Sequence, residues 1–202
     1  MKEKVKIGII ILAAGSSSRL GYPKQIVEFR GKSLLQHSIE VAESLKFDSK
    51  ILVLGAKAKE IEKKIDCRNF KIVYNQNWKE GMGTSIGKGT SEALKLEDDL
   101  DHILILLSDQ PFITSEKIQE LIRIQLSTNK PATFSEYLGN VGVPAIFSRS
   151  LFSDLKGLKG DQGAKKLLRN KSFEFRTVQF EKGIFDVDTA ADVTLLKQME
   201  EE

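Results

Sequence analysis

The chain has 202 residues, 41% of them hydrophobic, enough for one α/β domain with a real core and too few for two large ones, so a single domain over 1–202 is expected. Its net charge of +3 is spread without a basic tract or an aromatic platform, which argues against nucleic acid as a partner. Cys67 is the sole cysteine, which excludes an internal disulfide framework and a cysteine-built zinc site. No apolar run approaches the roughly 20 residues of a membrane span, and neither a cleavage signature nor a lipidation motif is evident, so a cytoplasmic protein without a membrane partner is expected.

In chain order, the β-branched run over 5–11 predicts a buried strand. It leads into Leu12-Ala13-Ala14-Gly15-Ser16-Ser17-Ser18-Arg19-Leu20-Gly21-Tyr22-Pro23-Lys24, where Gly and Ser free backbone N–H groups to face an anion. Arg19 and Lys24 place two cations on this loop, as a triphosphate needs before it leaves water. The pattern is neither a P-loop nor a dinucleotide fingerprint. A Gly/Ser-rich turn with both cations solvated satisfies the local chemistry equally well.

Apolar spacing predicts a helix over 33–45, a strand over 50–54, a helix over 58–65 and a strand over 71–74. A loop over 75–83, a helix over 84–96 and a strand over 102–107 follow. The near-unbroken apolar run of that strand suits a central parallel position buried on both faces. An amphipathic helix over 113–126 takes Thr114 or Ser115 as its cap. Strands over 132–136 and 143–147, joined across Gly139 and Asn140, predict an antiparallel insertion in an otherwise parallel sheet. A short helix over 163–168, strands over 173–180 and 184–187, and a helix over 189–199 opened by a Thr189/Asp192 capping box complete an α/β pattern.

Asp109 directly follows the 102–107 strand, where an open α/β sheet places its ligand crevice, and Mg²⁺ is the natural link between carboxylate and phosphates. A helix cap or turn before Pro111 explains it equally. Asp186 and Asp188, two apart in an extended segment, project from one face and could share a metal, or they favour the N-terminus of the last helix. Gly81 and Gly83 allow close approach of a flat ligand and Ser85 offers a hydroxyl at a helix start, although a flexible turn reads the same way. In Gly160-Asp161-Gln162-Gly163-Ala164, Asp161 reads more readily as a cap. His37 and His102 have no triad partner nearby and read as structural.

Together, the 12–24 loop, Gly81-Met82-Gly83-Thr84-Ser85, Asp109-Gln110-Pro111, Gly160 to Ala164 and Asp186-Val187-Asp188-Thr189 resemble the MobA-like nucleotidyltransferase family, most nearly its molybdenum cofactor cytidylyltransferase branch. The resemblance runs from the first strand to the last helix. It implies a Rossmann-like three-layer domain of the nucleotide-diphospho-sugar transferase type with a mixed, mostly parallel sheet. It also implies Mg²⁺-dependent transfer of a nucleoside monophosphate to a phosphorylated acceptor, with release of pyrophosphate.

By that likeness Leu12, Ala13, Ala14, Gly15, Ser16, Ser17, Arg19 and Lys24 hold the nucleotide with Gly81, Gly83, Ser85 and Asp109. Arg19, Lys24 and Asp109 carry catalysis, and Asp109, Asp186 and Asp188 supply the metal ligands. Gly142, Pro144, Gly160, Asp161 and Gly163 face the acceptor, in this branch a molybdopterin phosphate, with transient contact to a molybdoenzyme or its chaperone. Ala14 and Pro23 resemble the cytidylyl branch, whereas the guanylyl branch carries Gly and an acidic residue there, so CTP is the expected donor. Val143 departs from the branch's Gly-His-Pro and removes a polar group from the acceptor side. The alternatives are guanylyl or other nucleotidyl transfer to a sugar or other small phosphate, and a non-catalytic nucleotide-binding partner in cofactor insertion.

Overall fold

The computed structural model describes residues 4–161, 163–169 and 172–201, so Gln162 of the 160–164 motif lies outside the described residues. In chain order the elements are β1 (Ile7–Ala13), the hairpin strands β2 (Glu28–Phe29) and β3 (Lys32–Ser33), α1 (Leu34–Glu43), β4 (Ser49–Leu54), α2 (Ala58–Glu62) and β5 (Lys71–Tyr74). Then come α3 (Met82–Leu96), β6 (His102–Leu107), α4 (Ser115–Leu126), β7 (Ala132–Tyr137), β8 (Asn140–Ser148), α5 (Phe152–Lys156), β9 (Arg176–Gln179) and α6 (Ala190–Glu201).

The large sheet has the order β5-β4-β1-β6-β8-β7-β9. Only β8 runs against its neighbours, so the sheet is mixed and mostly parallel, as expected. The chain steps outward from β1 to β4 and β5, then returns to place β6 on the other side of β1. The loops leaving β1 and β6 therefore diverge at a topological switch point, the position where open α/β sheets bind ligands.

Alternation along the strands buries both sheet faces. Ile10, Leu12, Ile51, Val53, Ile103 and Ile105 pack with Ile86 and Ala93 of α3 and with Phe152 and Leu155 of α5. On the other face Ile9, Ile11, Leu52, Leu54, Leu104 and Leu106 pack with α1, α2 and α4 through Leu35, Ile39, Ile61, Ile118 and Leu121. A third cluster of Leu20, Val27, Phe29, Leu34, Val187 and Leu196 ties the first loop and the small hairpin to α6. That cluster brings the C-terminal segment over the carboxyl ends of the strands. No helix among the described residues is long and apolar enough to cross a membrane.

Thr114 caps α4 as expected, its Oγ1 accepting from the Lys117 N–H at 3.3 Å, and Ser33 caps α1, its Oγ accepting from the Gln36 N–H at 3.2 Å. The Thr189/Asp192 box closes with bonds of 2.7 and 3.3 Å. His37 Nε2 sits 2.5 Å from the Phe29 carbonyl oxygen, in keeping with a structural histidine. Three details differ from the sequence reading. The 184–187 segment is not a strand, because its N–H groups turn to loops: the Phe185 N–H donates to Lys182 O at 3.3 Å and the Val187 N–H to Asp109 O at 3.2 Å. The β2–β3 hairpin and α5 had no periodic signal long enough to mark them. The strand expected over 173–180 is confined to Arg176–Gln179.

Glu92 of α3 is buried, its side chain 11% exposed, with Lys71, Lys95 and Lys88 at 3.0, 2.8 and 3.5 Å. These ammonium groups, Lys95 and Lys71 foremost, hold its carboxyl down to about 2. A carboxyl lowered on folding contributes stability that is complete above its ordinary value and is lost as pH falls through the folded one. Glu92→Gln is expected to cost about 1 kcal/mol near neutral pH. The difference in melting temperature from wild type should shrink as pH drops from about 5 towards 2.

Candidate functional site

The first loop is shaped by its own side chains. Gln25, 1% exposed, donates through Nε2 to the carbonyls of Ala13 at 3.1 Å and Gly15 at 3.2 Å. The Lys24 N–H donates to Ser17 Oγ at 3.0 Å, and Ser17 itself holds a left-handed φ of 53°. With the carbonyls of residues 13 and 15 tied down by Gln25, the loop is fixed in one conformation. Gln25→Ala removes the side-chain donor that these two carbonyls share, at about 1–3 kcal/mol. The expected result is a melting temperature several degrees lower, read by thermal melts.

Lys24 then reaches across the switch point. Its ammonium contacts the Asp109 carboxylate and lies 2.7 Å from Asp188 Oδ1, while Arg19 Nη2 lies 2.6 Å from Asp188 Oδ2. Burial opposes the charge on Lys24, but Asp109 and Asp188 outweigh it and raise its proton affinity. Burial likewise opposes charge on Asp188, and Lys24 and Arg19 override it and lower its carboxyl. Among the described residues Asp186 has no such cation of its own. Burial first, and the Asp109 charge second, raise its carboxyl to about 7 against a smaller pull from Lys24.

The two C-terminal acids therefore divide. Equal spacing suggested one shared face, but the segment is not a regular strand, and Asp188 goes to the two cations while Asp186 lines a neighbouring cavity. Three acids face two cations, and Asp109 Oδ1 is buried without a hydrogen-bond partner among the described residues. A hard divalent cation suits that deficit, with Asp109 and Asp186 as the carboxylates still short of positive charge. A convergence of three acidic groups within 4.8 Å occurs instead at Glu97, Asp98 and Asp99, where Lys6 already neutralises Glu97 and Asp99 at 3.2 and 2.7 Å.

Two cavities meet at this point. The first, about 330 Å³, is lined by Leu12 to Ser16, Lys24, Gln25, Asp109, Gly81 and Ser85, together with Trp78, Lys79 and Met82. The second, about 220 Å³, is lined by Gly142, Asp161, Gly163, Asp186, Phe134, Tyr137, Val143 and Lys165. Both share Met82, Leu107 and Asp161. Burial, then the charges of Asp186 and Asp109, raise the Tyr137 phenol above its ordinary value.

Of the expected residues, Arg19, Ser17 and Asp188 lie outside the lining of the first cavity, and Pro144 and Gly160 outside that of the second. Gly83 serves a different purpose from the one expected. A Cβ there would stand 2.7 Å from the Lys159 nitrogen, and one on Gly81 2.2 Å from the Gly160 carbonyl carbon. Their missing side chains let 81–83 lie against the 158–161 backbone, where the Gly83 N–H donates to Gly160 O at 2.9 Å. Ser85 Oγ accepts from Asn75 Nδ2 at 2.9 Å. Sequence reasoning missed Gln25, Trp78 and Tyr137, since a glutamine after Pro-Lys, or an aromatic beside a turn, carries no spacing signal.

The MobA-like NTP transferase domain model matches residues 9–177. The purine catabolism protein PucB of Bacillus subtilis (strain 168) is 28% identical, with 98% of each chain covered. Nicotine blue oxidoreductase of Paenarthrobacter nicotinovorans is 28% identical over 94% of this chain and 93% of its own. The crystal structure of Rv0371c from Mycobacterium tuberculosis H37Rv matches with a TM-score of 0.83 at 27% identity, covering 98% of this chain and 99% of that one. The same protein in complex with manganese gives 0.79 at 26% identity over 96% and 99%. The fold is the Rossmann-like nucleotide-diphospho-sugar transferase type, and the neighbouring manganese complex accords with metal use in related nucleotidyltransferases. With its strands, its two-cation loop and its acidic strand ends all inside or beside the matched span, the chain belongs to the MobA-like NTP transferase family, nucleotidyltransferases that take a nucleoside triphosphate and a phosphorylated acceptor.

Proposed function

We propose that the protein transfers CMP from CTP to a small phosphorylated acceptor, a molybdopterin phosphate in the first instance, and releases pyrophosphate in the cytoplasm. The observation that carries this reading is Lys24 bridging Asp109 and Asp188, three residues from distant parts of the chain, beside two connected cavities. An acceptor phosphate oxygen attacks the α-phosphorus in line. The bond to the α–β bridging oxygen breaks, and its electron pair leaves with pyrophosphate.

No protein nucleophile is required, because positioning and charge stabilisation carry such a step. The Gly15–Ser16 backbone and Lys24 receive the triphosphate, Lys24 stabilises charge developing on the α-phosphate, and Arg19 meets the departing pyrophosphate. Mg²⁺ held by Asp109 and Asp186 would neutralise phosphate charge and fix the triphosphate's orientation. Asp188 keeps Lys24 and Arg19 aimed at the site. The apolar wall given by Val143 and Phe134 favours a second reading, in which the acceptor is a different small phosphate. A molybdoenzyme or its chaperone would be the receiver of a molybdopterin product.

Pyrophosphate release measured over the four nucleoside triphosphates with Mg²⁺ or Mn²⁺, against molybdopterin and a panel of sugar and polyol phosphates, tests the proposal. Release with CTP and molybdopterin is expected. Tight nucleotide binding with no release from any acceptor overturns the catalytic reading in favour of a nucleotide-binding insertion partner.

A further inference from the structure

Trp78 is the chain's only tryptophan and, among the described residues, the only aromatic one lining the first cavity. It is half-buried and packs on the sheet's core cluster. Its backbone is pinned in a tight turn, with Trp78 O accepting from the Gly81 N–H at 3.2 Å and Asn77 O from Thr84 Oγ1 at 3.0 Å. The turn is set hard against the phosphate-side loop: a Cβ on Gly55 would stand 2.8 Å from Trp78 Cβ and 2.6 Å from the Ala14 carbonyl oxygen. Gly55 is thus a spacer whose lack of a side chain lets the indole and the 12–16 backbone form two adjoining walls of one cavity. The exposed Lys79 side chain, which also lines the cavity, places its ammonium 5.6 Å from the indole centroid. That face is therefore open to a cationic or π partner on a mobile tether.

Resting on the proposed nucleotide reading, we infer that the Trp78 indole is the platform on which the nucleotide base stacks, displacing Lys79. Phosphates are drawn to Lys24 and the Gly15–Ser16 backbone, which leaves the planar base for the Trp78 indole. Every base has a π face, so Trp78 supplies affinity for a nucleoside without choosing among bases. Choice then falls to groups that meet the base edge.

The test titrates wild type, Trp78→Phe and Trp78→Ala with Mg-CTP and with Mg-tripolyphosphate by calorimetry, and follows the single tryptophan's emission in wild type. Thermal melts check that the variants fold. CTP should change the emission with the midpoint seen by calorimetry, while tripolyphosphate leaves it nearly unchanged. Trp78→Ala should weaken CTP about tenfold and leave tripolyphosphate within twofold, and Trp78→Phe should recover CTP binding to within about threefold. Equal CTP affinity in wild type and Trp78→Ala, or equal losses for CTP and tripolyphosphate, overturns the platform while leaving the transferase reading intact. If no nucleoside triphosphate gives heat with wild type, the transferase reading falls and the platform falls with it.

Discussion

Lys24→Ala is expected to lower kcat/KM for nucleotide transfer by about 10²–10³, the usual loss when one aimed donor is taken from developing negative charge. The same change acts on stability through the acids it abandons. Breaking a fully buried ion pair costs about 3–5 kcal/mol. The Asp109 and Asp188 side chains are 12% and 32% exposed and stand beside an open cavity, so about 1–3 kcal/mol is the better figure here. A divalent cation can occupy the vacated charge position. Mg²⁺ should therefore raise the melting temperature of Lys24→Ala more than that of wild type, while restoring little turnover. A variant with turnover within tenfold of wild type would remove Lys24 from the mechanism, and an Mg²⁺ response no larger than wild type's would remove the shared-cation account of Asp109.

The sequence showed the parts of this site better than their pairing. The first strand, read over 5–11 and found over 7–13, and the strand over 102–107 were legible because burial on both faces leaves an almost unbroken apolar run, and the positions of Lys24 and Asp109 follow from the strand ends they succeed. The helix at 34–43 was legible through its period, and that at 115–126 through period and cap. The segment around Asp186 was misleading, since alternating apolar and acidic residues imitate a strand. Whether such a segment pairs depends on a free neighbouring strand, which is tertiary information. The parity argument that put Asp186 and Asp188 on one face failed with it. Gly81 and Gly83 illustrate the same limit: a missing Cβ signals close approach, but not whether a ligand or another stretch of backbone approaches.

Asp109→Asn should separate binding from turnover by moving them in opposite directions. The amide keeps the side chain's shape and removes one negative charge from beside Lys24 and Asp186. On the proposed metal reading a divalent cation would lose a ligand with that carboxylate, and turnover is expected to fall by at least about 10². Lys24, no longer held by Asp109, becomes free for the triphosphate, and one repulsive charge near the phosphates is gone. A screened unit interaction near the mouth of a cavity is worth about 1 kcal/mol, so CTP binding in EDTA should tighten about fivefold. Removing the Asp109 charge also withdraws part of the push on Asp186, whose carboxyl should titrate below its wild-type value of about 7. Calorimetry with EDTA and with Mg²⁺, beside pyrophosphate release, reads the first two effects. Weaker CTP binding in EDTA would show that Asp109 supports the nucleotide by a route other than its charge, and unchanged turnover would take it out of the metal site altogether.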